Sequence, residues 1–374
     1  MSISDLVLKN DEKAIFGLRE LYSSYGYMKY KVSKFEEYDL YARNKSFLIS
    51  ENILTFTDTD GRLMALKPDV TLSIIKNIGN GQQGTHKLYY NENVYRTSAS
   101  ADGFREIMQT GLECIGDIDL YAMSEVITLA QKSLDTISGD NILDLSHMGF
   151  VLGLMEELGI LDADADILVG YIGHRNIPAI KAFCADRGLS EGDTAKICKM
   201  TELYAPIKDA LWAVSDMVCG DRMRAAFDEL SGICRILDAS GDTDRIYLDF
   251  STVNDMNYYN GVIFKGFVKG IPDSILSGGR YDSLMAKMGK KAGAIGFAVY
   301  LDMLERLPCD ERRYDVDTVL LYDAADAELV MKIADELRAE GKSVKIERGA
   351  TGNVRYKQLL KVNGEGVEIL EAND

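Results

Sequence analysis

Residues 86–116 read HKLYYNENVYRTSASADGFREIMQTGLECIG, and this stretch decides the fold. Two strand-like runs, His86–Arg96 and Arg105–Gly116, flank the small-residue segment Thr97–Phe104. A period of two is typical of strands, and two strands joined by a short connection are expected to pair antiparallel. The sequence therefore predicts an antiparallel strand pair over these residues.

The second strand of this pair has a polar face. Alternation places Arg105, Gln109, Gly111 and Glu113 on one side, and Arg96 ends the partner strand. A glycine leaves room for a ligand against the backbone, while a carboxylate, an amide and a guanidinium offer complementary hydrogen bonds. Periodicity alone fits a solvated sheet face and the floor of a ligand site equally well.

Further helices and strands are predicted on both sides of this pair. Before it, we expect a helix over Asp11–Tyr25, a strand over Met28–Phe35, a hairpin turn at Asp60-Gly61 and a helix from Pro68 to Ile78. After it, helical periodicity over about residues 162–241 indicates an insertion. Strand character returns at Arg245–Phe250 and Tyr258–Val268. A β-α-β pattern follows over Thr318–Tyr322, Ala325–Glu340 and Ser343–Ile346. The pattern predicts an α+β fold with a core over 1–313 and a small α/β module over 314–374.

Composition excludes several classes of function. The chain has 374 residues with 42 basic and 59 acidic side chains, so its net charge is 42 − 59 = −17, which disfavours nucleic-acid binding. No apolar run approaches the roughly 18 residues of a membrane span, and the start of the chain lacks the pattern of a signal peptide. The six cysteines form no C-x-x-C pair, so we expect a cytoplasmic protein without a metal site or cofactor.

Several segments together resemble a known family. LKPDVTLSIIKNI, the stretch from residue 87 to 116, NDMNYYNGVIFKGF, SGGRYDSL and GAIGFAVYLDML occur in this order. The set resembles the class II catalytic core of histidyl-tRNA synthetases over roughly residues 1–310. The resemblance implies an antiparallel sheet flanked by helices, with a helical insertion and dimerisation through the core.

The resemblance implies a histidine pocket. Asp69 and Thr71 fall where the family binds the ammonium group of the amino acid, and Glu113 suits an imidazole N–H. Arg96 matches the arginine that binds the α-phosphate of ATP. The full set of positions implied for histidine binding is Asp69, Thr71, Arg96, Gln109, Glu113, Tyr258 and Tyr259. For each tyrosine, plain core packing is the alternative.

Two departures from the family pattern bear on catalysis. Asn254 stands where the family has the arginine that stabilises the adenylation transition state, and Met303 replaces the motif 3 arginine over the ATP phosphates. Removing one preorganised donor of this kind typically costs about 10²–10³ in rate, and neither amide nor thioether replaces a guanidinium. We therefore expect no catalytic residues and no synthetase activity.

A histidine pocket without ATP chemistry resembles the regulatory subunit family of ATP phosphoribosyltransferase. That resemblance implies a non-catalytic chain that senses L-histidine, forms a homodimer within a hetero-oligomer, and partners the short-form catalytic subunit in the first step of histidine biosynthesis. The C-terminal module is shorter than a synthetase anticodon-binding domain, so tRNA binding is not expected. Two alternatives stay open: a divergent, active histidyl-tRNA synthetase, and a stand-alone histidine sensor or scaffold.

Overall fold

The structure is a computed structural model that describes residues 8–48, 52–79, 84–98, 101–241, 243–253, 258–307, 313–323, 327–363 and 366–373. The chain packs as two compact units, one spanning residues 8–307 and one containing residues 313–373. The bounds 1–313 and 314–374 inferred from the sequence stay a prediction. Among the described residues, no helix combines the length and apolarity needed to cross a membrane.

The described strands form three sheets. They are β1 (Met28–Lys29), β2 (Phe35–Glu37), β3 (Thr55–Thr57), β4 (Leu63–Leu66), β5 (His86–Ser98), β6 (Ala101–Gly116), β7 (Asn141–His147), β8 (Ala205–Pro206), β9 (Ile246–Leu248), β10 (Val262–Val268), β11 (Leu276–Arg280), β12 (Gly293–Tyr300), β13 (Val316–Tyr322), β14 (Val344–Arg348), β15 (Tyr356–Asn363) and β16 (Gly366–Ala372). The main sheet has the order β1-β5-β6-β12-β11-β10-β7-β9-β8, and β2-β4-β3 form a small sheet.

The described helices contribute buried side chains to the hydrophobic cores, and the last of them belongs to the C-terminal unit. They are α1 (Asn10–Ser24), α2 (Tyr38–Ala42), α3 (Thr71–Asn77), α4 (Leu120–Ile137), α5 (Met148–Glu157), α6 (Asp162–Gly173), α7 (Ile177–Asp186), α8 (Glu191–Glu202), α9 (Ile207–Val214), α10 (Gly220–Ser240), α11 (Asp282–Lys287) and α12 (Ala327–Ala339), with short 3₁₀ helices at Lys45–Phe47, Ser215–Met217 and Leu301–Arg306. Helices α6 to α10 occupy the segment expected to be a helical insertion.

The long strand pair predicted from residues 86–116 is confirmed, with one correction. β5 and β6 pair antiparallel and Arg96 lies opposite Arg105, but the strands continue through Ser98 and from Ala101. Most of the predicted loop Thr97–Phe104 is therefore strand, because the ladder extends beyond the residues with clear alternation. The main sheet also contains two parallel pairs, β1 with β5 and β7 with β9.

Other element predictions differ from the structure mainly at their ends. The Asp60-Gly61 turn joins β3 to β4, where Gly61 adopts a φ of 80° and the Asp58 carboxylate accepts from the Asp60 and Arg62 amides. The strand expected over Met28–Phe35 is instead the two residues of β1 followed by an irregular segment, with β2 beginning at Phe35. The strand expected from Tyr258 begins at Val262.

The two faces of the main sheet bury different sets of side chains. Leu112 and Cys114 of β6 and Phe297 of β12 join a large core with α1, α4, α5 and α10. On the opposite face, Tyr90 and Ala294 pack in a smaller core with α3 and α11. Because successive strand side chains point to opposite faces, Gly111 and Glu113 lie on the face of the smaller core.

The C-terminal unit is a four-stranded sheet in the order β14-β13-β15-β16. β13 pairs parallel with both β14 and β15, and β16 pairs antiparallel with β15. The expected β-α-β pattern corresponds to β13, α12 and β14, and Gly341 follows the helix with a φ of 85°. The last two strands extend the sheet beyond that pattern.

Candidate ligand-binding site

A cavity of about 410 Å³ opens on the face of the main sheet that carries Gly111 and Glu113. The structure places around it all seven residues that the sequence resemblance implied: Asp69, Thr71, Arg96, Gln109, Glu113, Tyr258 and Tyr259. They come from the start of α3, from β5 and β6, and from the segment before β10. Their role in binding histidine stays a prediction.

Glu113 lies at the centre of the hydrogen bonds in the cavity. Its side chain is 2% exposed; Oε1 accepts a hydrogen bond of 2.7 Å from the Thr71 hydroxyl, and Oε2 accepts one of 2.5 Å from the Tyr281 hydroxyl. Gly296 of β12 lies opposite Glu113 in register, and a Cβ there would be 1.8 Å from Oε2. The glycine is therefore required for the carboxyl group to occupy this position.

Burial shifts both acidic groups of the cavity toward their protonated forms. The pKa of Glu113 is raised to about 8, chiefly by burial and to a smaller extent by nearby Asp69, against the two hydrogen bonds that favour the carboxylate. Burial also raises the pKa of Asp69, although Arg96 and backbone amides act in the opposite direction. A ligand that brings positive charge into the cavity would favour ionisation of both groups.

Asp69 and Arg96 are held by the loop that precedes α3. Asp69 Oδ1 accepts a hydrogen bond of 2.8 Å from the Leu72 amide, which satisfies one of the free N–H groups at a helix start. The Arg96 Nε donates to the Pro68 carbonyl oxygen at 2.7 Å, and its Nη2 is 4.0 Å from Asp69 Oδ2. Both side chains are therefore positioned before any ligand arrives.

Gln109 contributes a buried amide group to the cavity. Its side chain is 2% exposed and lines the cavity, yet among the described residues its Nε2 has no hydrogen-bond partner. A buried donor without a partner costs about 1–3 kcal/mol. The amide is thus available to an acceptor on a ligand.

Aromatic side chains form the wall beside Glu113. The rings of Tyr258 and Tyr259 meet at 4.5 Å between centroids, and Tyr258 also lies 6.1 Å from the rings of Phe47 and Tyr281. Burial raises the pKa of both Tyr258 and Tyr259 well above the usual value, so their hydroxyls stay protonated. Such a wall suits a flat ring with polar edges.

The space beside Gly111 is not free for a ligand, contrary to the expectation from the sequence. A Cβ on Gly111 would be 2.5 Å from the Tyr90 hydroxyl oxygen and 2.4 Å from the Phe297 carbonyl oxygen. The glycine therefore admits the Tyr90 side chain of the neighbouring strand. Arg105, expected on the same face, is exposed and does not line the cavity.

The structure describes one of the two positions at which the family has a catalytic arginine. Met303 lies in the 3₁₀ helix Leu301–Arg306 and packs against the large core, outside the lining of the cavity. Asn254 lies outside the described residues. The loss of catalytic groups at these positions stays a prediction.

Tyr281 and Lys265 are two of the lining residues that the sequence analysis did not predict. Tyr281 is within the quoted SGGRYDSL segment, and its position just after a glycine-rich strand could have marked it as a cavity residue. Lys265 is a single charge within the apolar run Val262–Val268, which is an informative exception in a buried strand. In the described part of the chain, no cluster of three metal-ligating side chains occurs.

Comparison with known proteins decides the family. The family model described as histidyl-tRNA synthetase matches residues 8–304. The ATP phosphoribosyltransferase regulatory subunit of Thermoanaerobacter pseudethanolicus is 30% identical to this chain over 338 residues, which is 88% of this chain and 87% of the relative. The chain belongs to the histidyl-tRNA synthetase family and, within it, to the ATP phosphoribosyltransferase regulatory subunits.

Solved structures share the fold of this chain. A structure described as an ATP phosphoribosyltransferase regulatory subunit/histidyl-tRNA synthetase from Bacillus halodurans is similar with a TM-score of 0.78 and 23% identity, over 95% of this chain and 94% of the other. A chain of the ATP phosphoribosyltransferase (HisG:HisZ) complex of Thermotoga maritima is similar with a TM-score of 0.61 and 18% identity, over 80% and 98%. The predicted class II synthetase-like architecture is confirmed.

Proposed function

We propose that the chain is a non-catalytic regulatory subunit of ATP phosphoribosyltransferase that senses free L-histidine for feedback control of the first step of histidine biosynthesis. One observation carries the histidine part of the proposal. All seven residues implied by the family line one cavity, which contains two buried carboxyl groups and an amide donor that has no partner among the described residues. Family membership supports the regulatory part.

The chemistry of the cavity suits a zwitterionic amino acid with a basic ring. Asp69 and the Thr71 hydroxyl would accept from the ligand ammonium group, and Glu113 would accept from an imidazole N–H. The rings of Tyr258 and Tyr259 would pack against the imidazole. Charge-assisted hydrogen bonds of this kind are about twice as strong as neutral ones.

The lack of positive charge at Met303 and Asn254 supports the absence of catalysis. Formation of an adenylate requires cations where negative charge develops on the phosphate, and Met303 offers an apolar side chain that packs in the core. An amide at Asn254 would add no charge either. We therefore assign phosphoribosyl transfer to the short-form catalytic subunit with which this chain, as a homodimer, would form a hetero-oligomer.

Regulation in such a complex would work by linkage. If histidine binds one state of the hetero-oligomer more tightly, it shifts the complex toward that state. The coupling must be reciprocal, so the catalytic subunit would change the histidine affinity of this chain by the same factor by which histidine changes the stability of the complex.

Mixing the full chain with a short-form ATP phosphoribosyltransferase, with and without L-histidine, tests the proposal. We expect a complex on size-exclusion chromatography and phosphoribosyltransferase activity that responds to histidine. A stand-alone sensor would bind histidine without forming the complex. Robust histidine-dependent exchange between pyrophosphate and ATP by the chain alone would instead identify an active synthetase and overturn the proposal.

A further inference from the structure

Lys265 places a positive charge at the end of the cavity farthest from β6. In β10, Val262 and Phe264 face the large core, whereas Lys265 lines the cavity on the opposite face. The hydroxyl-bearing side chains of Ser274 and Ser277 line the cavity with it. We call Lys265, Ser274 and Ser277 the β10 end of the cavity.

Strand register fixes the distance between this end and the acidic end. Lys265 lies opposite Ser277, Ser277 opposite Ala298, and Ala298 opposite Gly111, so the row crosses from β10 through β11 and β12 to β6. Three strand spacings separate Lys265 from Gly111, which is about 14 Å between their Cα atoms. Side chains from both ends reduce this gap to a length suited to a small amino acid.

The surroundings of Lys265 decide whether its ammonium group can receive an anion. Among the described residues its ammonium group forms no ion pair, although the carboxyl groups of Asp144 and Asp249 lie near enough to raise its pKa. Asp249 already pairs with Arg175 at 2.9 Å. Burial has the larger effect and lowers the pKa of Lys265, which a bound anion would reverse.

The second cation of the cavity is already engaged. Arg96 donates its Nε to the Pro68 carbonyl oxygen and approaches Asp69. Asp69 and Glu113 supply two acidic groups at this end. Among the residues that line the cavity, the two carboxyl groups therefore lie toward β6 and the Lys265 ammonium group lies toward β10.

We propose that Lys265, with Ser274 and Ser277, forms an oxyanion subsite that binds the α-carboxylate of the amino acid whose ammonium and ring occupy the acidic end. This inference rests on the proposed histidine-binding function and names the group that recognises the carboxylate. The Lys265 ammonium group supplies the positive charge, and the hydroxyls of Ser274 and Ser277 supply further hydrogen-bond donors. A buried carboxylate without such partners would be strongly disfavoured.

Calorimetric titration of the full chain with L-histidine and with L-histidinol, which lacks the carboxylate, tests the subsite. In Lys265→Met, we expect the affinity for histidine to fall about 10- to 100-fold, since a hydrogen bond to a charged group is lost, while the affinity for histidinol stays within about twofold. Ser277→Ala should weaken the binding of histidine by a smaller factor and leave the binding of histidinol unchanged. Lys269→Met is the matched control, because Lys269 is 80% exposed just beyond β10 and should change neither affinity.

Distinct results would contradict the subsite and the proposed function. An equal loss of affinity for both ligands in Lys265→Met would indicate a merely structural role for the lysine. Unchanged histidine affinity in both Lys265→Met and Ser277→Ala would overturn the subsite, as would competition between histidine and inorganic phosphate that persists in Lys265→Met. If the wild-type chain binds neither ligand, the proposed histidine-sensing function itself is wrong.

Discussion

The hydroxyl of Thr71 donates a hydrogen bond of 2.7 Å to Oε1 of Glu113, and it joins the first residue of α3 to the last part of β6. The two residues are 42 positions apart in the chain. The bond matters because it leaves Glu113 with donors on both oxygens before a ligand arrives, with Tyr281 supplying the other.

Replacing Glu113 by alanine should weaken histidine binding by about 10- to 100-fold, because the imidazole loses a charge-assisted acceptor. Isothermal titration with L-histidine measures the change. Glu106→Ala is the control, since Glu106 is an exposed glutamate on the same strand and bonds to Asn93 and Tyr95. Unchanged affinity in Glu113→Ala would remove this residue from the binding site.

Glu113 should also make the stability of the ligand-free protein depend on pH. The folded protein keeps the Glu113 proton up to a pKa of about 8, whereas the ordinary value is 4.5. Between these values the folded state holds more protons than the unfolded chain, so this group lowers the free energy of unfolding as the pH rises. The shift corresponds to at most about 5 kcal/mol.

Glu113→Gln removes this titration and isolates it. We expect urea unfolding to show that the variant gains stability relative to the wild type as the pH rises from near 4.5 to near 8. Glu106→Gln, which changes an exposed glutamate, should show no such trend. A difference between Glu113→Gln and wild type that stays constant across this range would contradict the burial argument.

Gly296→Ala should disturb the same carboxyl group sterically. The new Cβ would lie 1.8 Å from Glu113 Oε2 and 2.5 Å from the Leu112 carbonyl oxygen, so we expect a loss of about 1–3 kcal/mol in the free energy of unfolding together with weaker histidine binding. Gly170→Ala is a good comparison: it lies within α6 with no atom within 4 Å of the new Cβ, and alanine there should stabilise the helix by up to about 1 kcal/mol. Equal effects of the two substitutions would contradict the steric explanation.

The ion pair between Lys67 and Glu92 of β5 should be important for the stability of the fold. Lys67 is fully buried, and its ammonium group lies 2.6 Å from Oε2 of Glu92. Lys67→Met leaves a largely buried carboxylate without its partner and should cost about 3–5 kcal/mol. The double variant Lys67→Met/Glu92→Gln should recover part of this loss in urea unfolding, and a double variant less stable than the single one would contradict the pairing.

The sequence predicted the cavity residues best where the two-residue period of a strand and the family motifs agreed. The alternation over residues 105–113 correctly put Gln109, Gly111 and Glu113 on one face, and the family motifs brought Asp69, Tyr258 and Tyr259 to the same cavity. The bounds of strands were less predictable because pairing with a neighbour extends a strand beyond its own alternation, as at Ser98 and Ala101. Local patterns carry no information about such partners.

The role of Gly111 shows why side-chain contacts could not be predicted from the same pattern. A glycine in a strand indicates that another group approaches the backbone closely. The sequence of the strand does not tell whether that group belongs to a ligand or to a protein side chain. Here it is the ring of Tyr90, which the register brings directly opposite. Lys265 was missed for a related reason, since its importance depends on its register with Gly111 across the two intervening strands, β11 and β12.

Glycines on the face of the main sheet beneath the cavity also limit how the binding preference of this protein can change. At Gly111, Gly279 and Gly296, a single added methyl group would meet Tyr90, Tyr259 or Glu113 at 2.6 Å or less. New side chains therefore cannot be introduced from below without moving several neighbours at once. Redesign toward another amino acid, in the laboratory or by natural drift, has its accessible routes through the walls, at Phe47, Tyr258 and Lys265.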